Sequence, residues 1–328
     1  MKKVTALGLC LIMILFSGCR KKNENEVVIT QAFENLLYLG LYVAQDGGFF
    51  ADEGLSVRIE TAGGDAQAFS ALTGRSCDFA QADPSFIAIG NQRGWRGKVI
   101  ASVVNRAAIF GVSLDTTISP ISSMLQMQGK SIAVFPYPNT SYVIQKQLSE
   151  AAGLRINKDI KLVEVNLGTE LVALRRGEAV IAQTLEPTVS EVESQGGRMV
   201  VSYPDFYGPI AFSGLMVSQK TINRHPDMVR RVIRAYNRAL EYVHEDIDGA
   251  TRIAIARFPD NDPTIVASAV RRLVESNCIP ASTEVTEEAW GKLLQIRLEV
   301  GDITSLPKNQ LYDNQFLEDY LKRKNATL

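Results

Sequence analysis

Cysteine and histidine are scarce in this chain, four and two among 328 residues. Cys10 and Cys19 fall near the N-terminus, which leaves Cys77 and Cys278 for the folded body. Two distant thiols make no disulfide framework. They read as two separately buried free thiols or, in an oxidising compartment, as a single bridge. No Cys/His spacing suggests a metal site, and no cofactor is implied. An excess of one charge is also missing: 35 basic against 36 acidic side chains leave a formal net charge of -1, with no long block of either sign. Nucleic acid and polyanionic partners are thus not indicated. After Phe16 no apolar run approaches the roughly 20 residues a membrane-spanning helix needs.

Enzyme signatures are equally thin. Gly90, Gly94, Gly97 and Lys98 imitate a phosphate-binding loop, but Gln92 stands where its Gly should be and Val99 follows the lysine, so the stretch reads as a turn into a strand. Gly63-Gly64 lacks the third glycine of a dinucleotide fingerprint. No G-x-S-x-G elbow occurs, and His225 and His244 sit beside a helix-starting proline and near a helix C-terminus, as structural histidines do. Asn139-Thr140-Ser141 and Asn325-Ala326-Thr327 fit the glycosylation pattern by chance if the cell is bacterial.

What is present begins with Met1-Lys2-Lys3, an apolar run from Val4 to Phe16, and Ser17-Gly18-Cys19, the order of a secretory signal. Its end resembles a bacterial lipobox, with Cys19 as the lipidated first residue of the mature chain, although Phe16 replaces the usual Leu. An ordinary signal with a chance cysteine is the alternative. Residues 1–18 are then the signal peptide and 19–26 a polar tether, so membrane attachment comes through lipid and the protein sits on the outer face of a bacterial membrane.

The body alternates short β-rich runs with helical ones, the pattern of a mostly parallel sheet covered by helices. Strands are expected at Val27 to Thr30, Ser56 to Glu60, Cys77 to Gln81, Lys98 to Val104 and Ile109 to Leu114. Five more follow at Ser131 to Phe135, Ile160 to Val165, Ala179 to Ala182, Arg198 to Val201 and Phe212 to Val217. Thr140 to Ala152 reads as a helix stopped by Gly153, with Asp65 and Thr169 placed as N-caps. After Val217 helices take over, from His225 to His244 and in four further segments to Lys322.

Several segments together resemble the solute-binding proteins of ABC importers for nitrate, sulfonates, taurine and thiamine-precursor pyrimidines. They are Leu39-Gly40-Leu41-Tyr42-Val43-Ala44, Gly48-Phe49-Phe50, Glu53-Gly54-Leu55-Ser56-Val57, Gly63-Gly64-Asp65, Ala71-Leu72-Thr73-Gly74 and Cys77-Asp78-Phe79-Ala80 in the first half. Gln128 to Val134, Ala151-Ala152-Gly153-Leu154, Ala173 to Ala179 and Leu185-Glu186-Pro187 follow, the last with Leu185 where the family has an aromatic residue. The resemblance implies a type II periplasmic-binding-protein fold: two doubly wound α/β lobes joined by two hinge strands, with a helical C-terminal tail. Residues 27–106 plus 215–328 would form lobe 1 and 107–214 lobe 2, with hinges near Asn105-Arg106 and between Gly208 and Ser218.

Ligands of open α/β sheets sit at the C-terminal ends of strands. Topology and resemblance together then place Phe33, Glu34, Asn35, Gly64, Asp65, Asp83 and Ser85 at the cleft from lobe 1, and Tyr137, Asn139, Thr140, Ser141, Tyr142, Glu186 and Tyr207 from lobe 2. Asn139-Thr140-Ser141 opens a helix whose amides suit an anionic head, or Thr140 is simply a cap. Phe33, Tyr137, Tyr142 and Tyr207 could stack on a flat ring, or be rim and core residues. Asp65, Asp83 and Glu186 oppose a small anion unless Arg106 at the hinge compensates, and they suit ring N–H donors. A planar nitrogen heterocycle is therefore preferred over a sulfonate or nitrate.

The expected job is a monomeric, non-enzymatic binding protein that delivers its solute to ABC permease subunits. The alternatives are a pyrimidine-synthesising enzyme of the same fold, for which the cysteine-rich iron site is missing, and a ligand-sensing subunit of a membrane receptor.

Overall fold

The computed structural model describes residues 25–327; the signal, Cys19 and most of the tether lie outside them. Ten strands form two five-stranded sheets. They are β1 (Glu26–Gln31), β2 (Ser56–Thr61), β3 (Phe79–Ala82), β4 (Gly97–Arg106), β5 (Phe110–Ser113), β6 (Ser131–Val134), β7 (Lys161–Glu164), β8 (Ile181–Thr184), β9 (Arg198–Ser202) and β10 (Pro209–Ser218). All ten overlap the segments expected from the sequence.

The first sheet has the order β2-β1-β3-β10-β4 and the second β7-β6-β8-β5-β9. In each, three parallel strands are joined through covering helices, and the remaining pairings are antiparallel. β3, β5 and β8 are buried at every position, as strands covered on both faces are, and this burial includes the polar Gln81, Ser113, Gln183 and Thr184. This is the periplasmic-binding-protein fold, α/β with two lobes.

The chain crosses between sheets twice, at 107–109 and through the short helix Tyr203–Tyr207. Arg106, at the first crossing, donates from Nη1 to the Pro204 carbonyl at the second, 3.0 Å away. The C-terminal helices follow β10, and the longest of them, Pro226–Glu245, packs chiefly against helices Leu39–Asp46 and Gln315–Thr327. Its Leu240 lies so close to Gly40 that a Cβ there would meet Leu240 Cδ2 at 2.6 Å, so glycine permits this helix contact. Gly94 turns the chain with φ 86 before Gly97 opens β4, as the failed phosphate-loop pattern implied.

Two details differ from expectation. Asp65 is the first residue of helix Asp65–Gly74, not its cap; Gly64 holds that position in extended backbone, and the Asp65 carboxylate turns to the Asp83 amide instead. Thr169 does occupy the cap position, but its hydroxyl donates to the Asn166 carbonyl and caps nothing. Cys77 and Cys278 are both buried, and no disulfide links them. Burial pushes the Cys278 thiol far above its ordinary pKa.

Candidate ligand-binding cleft

Between the sheets lies a cavity of about 260 Å³. Lobe 1 contributes Phe33, Leu37 and Tyr38 after β1, Asp65 after β2, Asp83 after β3, and Phe212 and Ser213 from β10. Lobe 2 contributes Phe135, Pro136, Asn139, Thr140 and Ser141 after β6, Leu167 after β7 and Leu185 after β8, with Ile109 from the crossing. Both sets come mainly from the C-terminal ends of parallel strands, where loops must leave the sheet and are free to vary.

Two carboxylates dominate the polar part. Asp65 Oδ1 accepts the Asp83 amide at 2.8 Å, and Asp83 Oδ1 accepts the Ser85 amide at 2.8 Å. Burial first, and the neighbouring Asp83 charge second, push the Asp65 carboxyl up to about 6. Burial likewise pushes the Tyr38 phenol far above its usual value, so it stays a hydroxyl beside Ser213, 3.5 Å away.

Compensation for the acids does not come from Arg106, which is spent on the hinge carbonyl. It comes from Arg297 near the end of helix Glu287–Glu299, a residue the strand-end rule cannot find because it belongs to the C-terminal tail. Arg297 is only 6 % exposed; Nη2 reaches Asp83 Oδ2 at 3.4 Å and donates to Thr140 Oγ1, and Nη1 reaches Asp302 Oδ2 at 3.0 Å and the Pro138 carbonyl at 3.4 Å. The cation therefore lies behind the cavity wall, held through its two terminal nitrogens by lobe 1 acids and a lobe 2 turn, while its buried Nε has no partner among the described residues.

Of the residues expected at the cleft, Phe33, Asp65, Asp83, Asn139, Thr140 and Ser141 line this cavity together. The helix cap is Asn139 and not Thr140, which is the first helical residue; Asn139 Oδ1 accepts the Ser141 amide and hydroxyl at 3.0 and 2.8 Å. The others stand around it. Glu34 pairs with Arg257, Gly64 is buried ahead of the helix, and Ser85 is buried as the donor to Asp83. Asn35 caps a single turn and donates from Nδ2 to the Glu186 carbonyl at 3.1 Å, a strap between the lobes.

Glu186 is fully buried, but its carboxylate faces Arg272 at 2.9 Å and Ser190 rather than the cavity. Burial raises its pKa despite the Arg272 charge. Tyr137 and Tyr142 pack edge to face at 5.6 Å outside the cavity, with Tyr137 51 % exposed, because the turn directs the pair toward Glu164 of β7. Tyr207 donates to Gln147 at 2.8 Å under Lys292. The rings at the cavity are thus Phe33, Tyr38, Phe135 and Phe212. Phe135 and Phe212 were legible as the end and the start of expected strands; Tyr38 carries no sequence signal beyond hydrophobicity.

The lobes are closed on one another. Besides Asn35 and Arg297, Arg272 of helix Pro263–Glu275 grips Glu186 and Glu193, and Glu299 accepts from Lys146 and Gln147, each at 2.6 Å.

Comparison with known proteins agrees with this architecture. The chain is 22% identical over 97% of its length to YtlA of Bacillus subtilis (strain 168), a provisionally named binding protein, and covers 97% of it. A provisionally named aliphatic sulfonates-binding protein of the same organism is 24% identical, with 97% of each chain covered. Among solved structures, the periplasmic aliphatic sulphonate binding protein SsuA from Escherichia coli superposes with a TM-score of 0.68 at 14% identity, over 88% of this chain and 92% of that one. The desulfurization enzyme DSZB shares the fold too, with a TM-score of 0.65 at 14% identity, over 92% of this chain and 99% of that one. The NMT1/THI5 like family model matches residues 35–250, two thirds of the sequence, and the chain belongs to that family.

Proposed function

We propose that this chain is the solute-binding component of an ABC-type importer, which closes two lobes over one small molecule and presents it to permease subunits. The observation that carries this reading is the cavity itself, lined from the strand ends of both lobes and strapped shut by contacts that cross between them. A solute filling it would contact both lobes at once, and so bias the equilibrium toward closure. The two crossings at 107–109 and 203–208 serve as hinges, with lobe 1 and the C-terminal helices moving against lobe 2. The same reading takes the chain to be a monomer, exported and lipid-anchored through Cys19, at the outer face of a bacterial membrane.

The ligand we favour is a planar nitrogen heterocycle with N–H or amino donors. Phe33, Phe135 and Phe212 offer apolar faces, Asp65 and Asp83 offer acceptors, and no Lys, Arg or His is among the lining residues described. A sulfonate is the second reading, favoured by the relatives' names and by the helix start at Asn139-Thr140-Ser141. Against it, an anion would meet two carboxylates, with Arg297 committed behind the wall. Neither cysteine, nor any histidine, is among the described lining residues, which supports binding over catalysis.

A thermal-shift screen of pyrimidines, flavins, taurine, alkanesulfonates and nitrate tests the proposal. One compound should raise the melting temperature by mass action, corresponding to about 2.7 kcal/mol at a hundredfold excess over its dissociation constant. Small-angle scattering should show a smaller radius of gyration on binding. A saturating ligand that leaves the scattering curve unchanged contradicts a closing cleft.

A further inference from the structure

A second concavity, of about 470 Å³, lies at the end of lobe 1 away from the cleft. It is bounded by Cys77 and Asp78 ahead of β3, by Arg96 ahead of β4 and by Ser218 at the end of β10. Four of its lining side chains are cations: Arg75, Arg96, Lys220 and Arg224. Asp78 is the one carboxylate among its lining residues, and its Oδ2 is already accepting the Val28 amide at 2.9 Å. A net charge of -1 for the whole chain conceals this local excess.

Two features sharpen the reading. Arg75 ends helix Asp65–Gly74 with φ 64, a left-handed position where glycine would be unstrained, yet the chain carries a cation there. Repulsion from Arg75 first and Arg224 second holds the Lys220 ammonium below its ordinary pKa, so the cluster is one that an anion would relieve. Trp95 lines the same concavity, and indole rings suit the head-group level of a bilayer.

The pole is also where the chain enters the lobe. β1 pairs in parallel with β3, Ile29 opposite Phe79, so Glu26 lies level with the approach to β3 beside the cations. If Cys19 carries lipid, as proposed above, residues 20–25 reach at most about 20 Å even fully extended. The basic pole would then stay near the bilayer surface, where polybasic segments attract anionic head groups within a Debye length of about 8 Å.

We infer that this concavity takes the phosphate head groups of an anionic membrane surface, and so orients the anchored protein on its membrane. The inference uses the lipid-anchor reading for reach; the chemistry of the pocket does not depend on it.

The test uses the full chain with Trp290→Phe, which leaves Trp95 as the reporter of the pocket. Protein is mixed with vesicles of phosphatidylcholine alone or with about one third phosphatidylglycerol, floated, and probed with acrylamide, a neutral quencher. Quenching of Trp95 should fall at least twofold on the anionic vesicles, recover at high salt, and not fall in Arg75→Glu/Arg224→Glu. Equal flotation on both vesicles with unchanged quenching overturns the inference. Flotation on anionic vesicles alone, lost in the double variant, would support the pocket while removing the anchor reading, and flotation on neither would overturn the inference. Equal protection by millimolar inorganic phosphate without vesicles would overturn the head-group assignment in favour of a free anion.

Discussion

Arg297 holds Asp83 at 3.4 Å while the same guanidinium donates to Thr140, so one buried cation ties a cavity carboxylate of lobe 1 to the helix start of lobe 2. Charge, closure and cavity shape meet in this one side chain.

Arg297→Met should therefore cost about 2–4 kcal/mol, toward the low end for breaking a buried charge pair because Asp83 keeps its Ser85 hydrogen bond. Urea denaturation would read the loss, and Asp83→Asn combined with Arg297→Met should recover part of it. An unchanged midpoint in the single variant would remove Arg297 from this role.

Asp65 sets a pH dependence. Its folded pKa of about 6 lies above the unfolded value, so the folded state holds the proton more tightly. Stability from this group is complete below about pH 4 and is lost as pH rises through about 6, on the order of 3 kcal/mol in all. Asp65→Asn should flatten that slope and raise stability at pH 7 by a similar amount. Denaturation at pH 4.5 and 7 on both proteins checks the sign.

Much of this architecture was legible in the sequence because strands covered on both faces announce themselves as short apolar runs bounded by turns. Strand ends then located Asp65, Asp83 and Asn139 to Ser141 at the cavity. Side-chain direction was not legible in the same way. Tyr137 lies two residues beyond Phe135, and the intervening turn sends one ring into the cavity and the other to its outer side. Arg297 was hidden for a different reason: it approaches from the C-terminal tail, some two hundred positions from Asp83, through tertiary packing alone.

That difference reverses the expected roles of two aromatics. Tyr137→Ala should leave ligand affinity unchanged, while Phe135→Ala should weaken it by about 0.5–1.5 kcal/mol beyond lost area if a ring stacks there. Calorimetry on the two variants separates them, and equal losses would contradict the cavity wall described above.

Cys278 is completely buried with its thiol held protonated, so iodoacetamide should not modify it in the native protein and should do so on unfolding. Intact mass before and after guanidinium treatment reads this directly. Rapid native labelling at Cys278 would show that the tail opens locally.

The most direct test of the proposed binding mode is the pH dependence of affinity. A heterocycle with N–H donors, and no group of its own titrating between pH 5 and 8, should bind the ionised Asp65. Calorimetric affinity should then rise by up to roughly tenfold from pH 5 to pH 7.5, and the rise should vanish in Asp65→Asn. Micromolar binding of an alkanesulfonate that tightens as pH falls, with every heterocycle silent, would contradict the account of the ligand.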